Sequence, residues 1–136
     1  MKNGKGGITM KQLCIIIIAL AGAALFFSGC KPALSVDCAT KMRDVGVKDK
    51  NLGASFTVTC PAKCTGATAW GTDTYTTDSS VCTAAIHAGV MAADKGGKVK
   101  VTVVKALDKY KGSDRNGVKT ADWPTSWGDT AFQVSK

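Results

Sequence analysis

The feature that most constrains this chain is a set of four cysteines, Cys38, Cys60, Cys64 and Cys82, downstream of a segment that reads as an export signal. Six cysteines are present, but Cys14 falls inside that leader and Cys30 at its end, which leaves four for a folded domain. An even number in a small exported domain predicts two disulfides. The gap between Cys60 and Cys64 would also suit a metal. Structural zinc sites, however, usually join two close-spaced cysteine pairs, and neither Cys38 nor Cys82 has a near neighbour. Neither a metal nor a cofactor is therefore expected. Spacing alone leaves three connectivities open. A chain of 136 residues that sheds a leader has room for one small core, so crosslinks carry a large share of its stability.

Residues 1–29 read as the signal. Lys2, Lys5 and Lys11 precede an apolar run from Leu13 to Phe27, shorter than the roughly 18 to 20 residues a membrane-spanning helix needs. Met1 and Met10 both offer translation starts. The ending Phe27-Ser28-Gly29-Cys30 resembles the bacterial lipobox, in which the cysteine thiol receives a diacylglyceryl group before the leader is cut away; Phe27 stands where leucine is commoner. Acylated, Cys30 would carry two or three chains, enough for stable membrane attachment, with residues 30–37 as a tether. The competing reading is an ordinary signal peptide. Lys31 is not the aspartate that resembles an inner-membrane retention signal, which favours the outer membrane or cell surface of a bacterial envelope.

The formal charge of +8 overstates the exported part. The three leader lysines drop out and all ten acids follow Gly29, so from Cys30 onward 15 basic against 10 acidic residues leave +5. That balance keeps a small domain soluble and also favours anionic partners. Every acid is aspartate, which prefers turns to helix interiors and suits a loop- and strand-rich domain.

Residues Ala54 to Cys60 alternate, with Phe56 and Val58 on one side and Ser55, Thr57 and Thr59 on the other, as a half-buried strand requires. A second extended piece over Ala67 to Thr72 brings Trp70 into the core. The spacing predicts one helix over Thr77 to Met91, capped by Asp78 or Ser79, apolar on nearly every side and therefore enclosed. Its small residues Ala84, Ala85, Ala88 and Gly89 allow strands to approach closely. Lys98 to Val104 alternates most clearly, valines inward and Lys98, Lys100 and Thr102 outward. Asn116-Gly117 marks a tight turn, and Ala131 to Val134 a last strand.

These residues resemble the LCCL domain, a module of extracellular proteins. The likeness rests on Gly71 to Val90, GTDTYTTDSSVCTAAIHAGV, followed in order by Gly96-Gly97, the Val99 to Val103 strand, Tyr110, Ser113, Asn116-Gly117, Trp127 and Phe132. Upstream, Gly53, Phe56, Val58, Cys60-Pro61 and Cys64 also fit, so the resemblance covers roughly Cys38 to Val134, within a domain taken as residues 38–136. It implies an α+β fold, a central α-helix wrapped by antiparallel β-sheets, and the disulfides Cys38–Cys60 and Cys64–Cys82. Some family members are associated with bacterial lipopolysaccharide, which makes an anionic glycan or glycolipid the implied ligand class.

For chemistry, the single histidine, His87, is the residue to weigh, with Asp78, Ser79 and Ser80 near it in sequence. Ser80 and His87 would stand about 10 Å apart along a helix, too far for a hydrogen bond. His87 is thus expected to hydrogen-bond within the core wall, and no catalytic site is assigned. The candidate anionic-ligand residues are Lys98, Lys100, Lys105, Lys109, Lys111 and Arg115. Nucleic acid is not expected, because the basic stretch lacks interleaved exposed aromatics. Trp123 and Trp127 are the candidate contacts of the alternative, a protein-interaction or structural envelope module.

Overall fold

The strongest alternating stretch forms the middle of the structure. In the computed structural model, which describes residues 32–45 and 51–136, the elements are β1 (Leu34–Ser35), a 3-10 turn (Met42–Asp44), β2 (Ser55–Cys60), β3 (Gly71–Thr72), β4 (Thr74–Thr76), α1 (Val81–His87), β5 (Gly97–Lys105), β6 (Asp114–Arg115), β7 (Val118–Lys119) and β8 (Thr130–Ser135). Six strands make one sheet in the order β1-β2-β5-β8-β4-β3, antiparallel throughout except for β1, which runs parallel to β2. β6 and β7 form a separate hairpin. The leader, Cys30 and Lys31 lie outside the described residues.

Register explains the core. Phe56 faces Val101, which faces Val134; Val58 faces Val99; Val103 faces Phe132, which faces Tyr75. Because side chains alternate along a strand, this row fills one face of the sheet, and Val58, Val99, Val101, Val103, Tyr75 and Phe132 are buried. Helix α1 packs on that face, and the hairpin closes over it with Val118 buried, so all seven helical residues are enclosed. The fold is α+β with one central helix, as expected; β1 is the departure from an all-antiparallel sheet.

The helix is shorter than its apolar periodicity predicts. Ser80, not Asp78 or Ser79, caps it, accepting from the Thr83 N–H at 3.2 Å while its hydroxyl donates to the Cys38 carbonyl at 2.7 Å. Asp78 instead holds Lys41 at 3.0 Å and Arg43 at 2.8 Å, and the Ser79 hydroxyl accepts from the Trp70 N–H. At the other end, Gly89 N–H reaches the Ile86 carbonyl and Val90 N–H the Ala85 carbonyl, a Schellman ending with Gly89 at φ 75°. The apolar residues beyond it therefore belong to a turn. A Cβ on Gly89 would also press on the Asn116 amide at 3.2 Å. We expect Gly89→Ala to lower stability by about 1–2 kcal/mol, read as a shifted urea midpoint at unchanged slope.

The cysteines pair differently from the family-based expectation. Bonds join Cys38 to Cys64 and Cys60 to Cys82, with Cα separations of 4.8 and 5.6 Å, in place of Cys38–Cys60 and Cys64–Cys82. The physical reason is strand parity. Cys60 shares the inward face of β2 with Val58, and Cys82 sits in the first turn of the helix packed on that face, so Cys60 looks at Cys82. Cys38 lies just after β1, beside the loop that follows β2, where Cys64 is the available partner. Trp70 also differs: it is only half-buried and stands at the rim instead of in the core.

Candidate binding surface

The outward face of the sheet follows from the same alternation. Lys98 lies opposite Thr59, Lys100 lies between Thr57 and Ser135, and Thr102 lies between Ser55 and Gln133. β1, β2, β5 and β8 contain no aspartate, so Lys98 and Lys100, both exposed, stand in a flat field of hydroxyls and one amide with no opposing charge on those strands. Such a face can donate hydrogen bonds and charge to sulfate, phosphate or carboxylate groups on a glycan.

The six basic residues taken together in the sequence do not form one patch. Lys105 has the opposite parity to Lys98 and Lys100 and lies about 23 Å along the strand from Lys98 at 3.3 Å per residue. Lys109 and Lys111 line a groove of about 520 Å³ shared with Thr72, Asp122 and Trp123. Arg115 is held by Asp73 at 2.8 Å. The loop cations also have aromatic company that their sequence context does not reveal, since Trp123 borders the same groove.

Trp123 and Trp127 are brought together, their ring centroids 4.9 Å apart and edge-on, and Trp70 joins them at 6.2 Å from Trp123. A second groove, of about 360 Å³, runs beside Trp127 and is lined by Met42, Arg43 and Val103 among others. The Trp123 indole N–H is buried and has no hydrogen-bond partner among the described residues. Sequence reasoning missed Trp70 as a surface residue. A single tryptophan in an apolar stretch carries no mark of which side of the sheet edge it takes.

His87 is fully buried, and its partners come from three elements. The Tyr75 hydroxyl lies 2.8 Å from Nδ1, while Nε2 lies 3.2 Å from the Ser113 carbonyl and 3.1 Å from the Ser113 hydroxyl. A carbonyl can only accept, so Nε2 carries the proton and Nδ1 accepts from Tyr75. Burial pushes the imidazole below its ordinary value and the Tyr75 phenol up to about 12. Asn116 Nδ2 then donates to the His87 carbonyl at 2.9 Å, fastening the hairpin to the helix end. Ser80 and Asp78 are engaged elsewhere, so these residues form a structural network, as the sequence spacing predicts.

Across residues 36–130 the chain matches the family model described as the LCCL domain. It belongs to the LCCL family. It is similar to human vitrin, 43% identical over 77 residues that make up 55% of this chain and 11% of vitrin. Against human cysteine-rich secretory protein LCCL domain-containing 2 it is 34% identical over 104 residues, 73% of this chain and 21% of that protein. Against clotting factor C of Tachypleus tridentatus it is 40% identical over 89 residues, 64% of this chain and 8% of that protein. The chain thus spans less than a quarter of the length of these curated relatives. The two disulfides fit an extracytoplasmic domain.

Proposed function

We propose that this LCCL domain is a non-enzymatic binding module of the bacterial envelope, lipid-anchored through Cys30, whose lysine face takes an anionic glycan or glycolipid of the lipopolysaccharide class. One observation carries the ligand class: Lys98 and Lys100 project side by side from an acid-free sheet face rich in hydroxyls. The family resemblance supports the same class. Salt and charge reversal test it. Immobilised lipopolysaccharide should retain the protein at low ionic strength and release it steeply as salt rises toward roughly 0.5 M. Lys98→Glu with Lys100→Glu should weaken retention by about tenfold or more at unchanged thermal stability. Equal binding by the double variant would sink this reading.

The second reading is a protein partner on the tryptophan side, favoured by one groove beside Trp127 and another beside Trp123, whose rings pack edge-on. Half-buried tryptophans beside a groove are common anchors of protein interfaces. Its mark would be retention lost in Trp127→Ala, kept in the lysine double variant, and indifferent to salt.

A further inference from the structure

All three tryptophans of the chain border one small hollow at the rim of the sheet. Trp70, Trp123 and Trp127, with Thr76 and Asp78, line a space of about 80 Å³. The Trp70 and Trp127 rings each stand nearly perpendicular to Trp123, at 77° and 87°, so the indoles wall the hollow on different sides. That volume is far below the roughly 300 Å³ at which pockets for whole small molecules begin, so the hollow takes a compact head group and leaves the rest of a ligand outside. A methylated ammonium suits such a wall. Indole faces attract a cation placed over them, and tryptophan does so best of the aromatic side chains. A lysine-type ammonium is strongly hydrated and needs acceptors on entry, of which the described lining side chains offer only those of Thr76 and Asp78. A trimethylammonium has no N–H to satisfy and presents methyl groups, so it gives up little on leaving water.

The charges beside the hollow match a zwitterion. Asp78 is largely buried, its side chain 14% exposed, and its Oδ1 accepts from Arg43 Nη1 at 2.8 Å and from Lys41 Nζ at 3.0 Å. Arg43 is half-exposed and, with Thr77 and Thr130, lines the larger groove, of about 360 Å³; Trp127 borders both cavities. Negative charge thus stands at the hollow and positive charge at the groove, one ion pair apart. A bare cation would meet Lys41 and Arg43 as well as Asp78 and gain little from charge. A head group that joins its cation to a phosphate through two carbons meets each sign with its opposite.

We propose that this rim is a phosphocholine site, with the trimethylammonium among the three indoles against Asp78 and the phosphate on Arg43 in the groove beyond Trp127. It is a different place from the lysine face, since Lys98 and Lys100 line neither cavity. A phospholipid and a phosphocholine-substituted glycan present the same head group to it.

Tryptophan fluorescence of the intact protein, titrated with free phosphocholine, tests the site, because every indole of the chain reports on it. Phosphocholine should bind roughly tenfold more tightly than phosphoethanolamine, tetramethylammonium should bind weakly, and inorganic phosphate should leave the emission unchanged. Trp127→Ala should weaken phosphocholine about tenfold, with Trp127→Phe recovering part of the loss. Arg43→Gln should weaken phosphocholine several-fold without weakening tetramethylammonium. Should the alanine variant unfold, Trp127→Phe and Arg43→Gln carry the comparison. Competition names the bearer: phosphatidylcholine vesicles and a phosphocholine-substituted polysaccharide each displace free phosphocholine only where their head groups reach the rim. Equal binding of phosphocholine and phosphoethanolamine, or folded Trp127 variants that bind as the parent does, would overturn the site and leave the rings as a contact for a protein partner.

Discussion

Replacing Cys60 and Cys82 together by alanine is expected to cost about 3–4 kcal/mol, most of the stability of so small a domain. The bond closes 22 residues of chain, and both cysteines are buried where β2 meets the helix, so the variant loses the crosslink and leaves a void. The Cys38–Cys64 bond closes a similar 26 residues, but Cys38 is only partly buried although Cys64 is fully so, and its removal should cost somewhat less because less packing goes with it. Urea midpoints of the two double variants measure the difference. Peptide mapping without reduction checks the premise. Fragments joining Cys38 to Cys60, or Cys64 to Cys82, would contradict the parity argument that sends Cys60 toward the helix.

The second large effect centres on His87. Truncation to alanine removes a fully buried ring and strands the Tyr75 hydroxyl, a loss of about 3 kcal/mol or more. The pH dependence has a definite sign. Because the folded value is lowered from 6.5, the unfolded chain binds the proton more readily. The contribution is therefore complete above about pH 6.5 and is lost as pH falls from there to the folded value. Arg115, Asp73 and Asp114 are the charged groups near the ring: Arg115 lowers its value further, while the two aspartates oppose. Most carboxylates titrate lower, so a stability difference between about pH 7 and about pH 5 reports mainly this group. In His87→Gln, which keeps a hydrogen-bonding side chain without a titrating ring, that difference should shrink markedly. An acid limb of unchanged size would show that another group is responsible.

The network around His87 also explains how seven helical residues can be enclosed in a domain with few large apolar side chains. Tyr75 reaches the ring from β4, Ser113 from the segment leading into the hairpin, and Thr120 donates its hydroxyl to the Gly71 carbonyl and its backbone N–H to the Ser113 carbonyl. Buried hydroxyls satisfied in this way bind the hairpin to the sheet across the helix. The hairpin is a short element that could not hold its place by apolar area alone.

Much of this was legible in the chain itself. Strict alternation is a local property, so β2, β5 and β8 and their inward rows follow from residue order, as do the Asn116-Gly117 turn and the existence of the helix. β4 escaped notice because Thr74–Thr76 lies among turn-forming residues, its local partner β3 is only two residues long, and its other partner, β8, is far away in the chain. The helix ends were misplaced because apolar spacing continues through Gly89 to Met91, whereas the backbone turns left-handed at the glycine.

What the sequence determined by itself is the exported, cysteine-paired α+β character of the domain, the strands that alternate, and the outward placement of Lys98 and Lys100. Only the tertiary structure decided which cysteine meets which, that three tryptophans gather at one rim, and that the six cations divide among a sheet face, a strand end, a groove and the hairpin, where Arg115 pairs with Asp73. Periodicity is read along one segment. Pairing, clustering and the span between charges depend on how separate segments are set side by side, and that is fixed by register and packing.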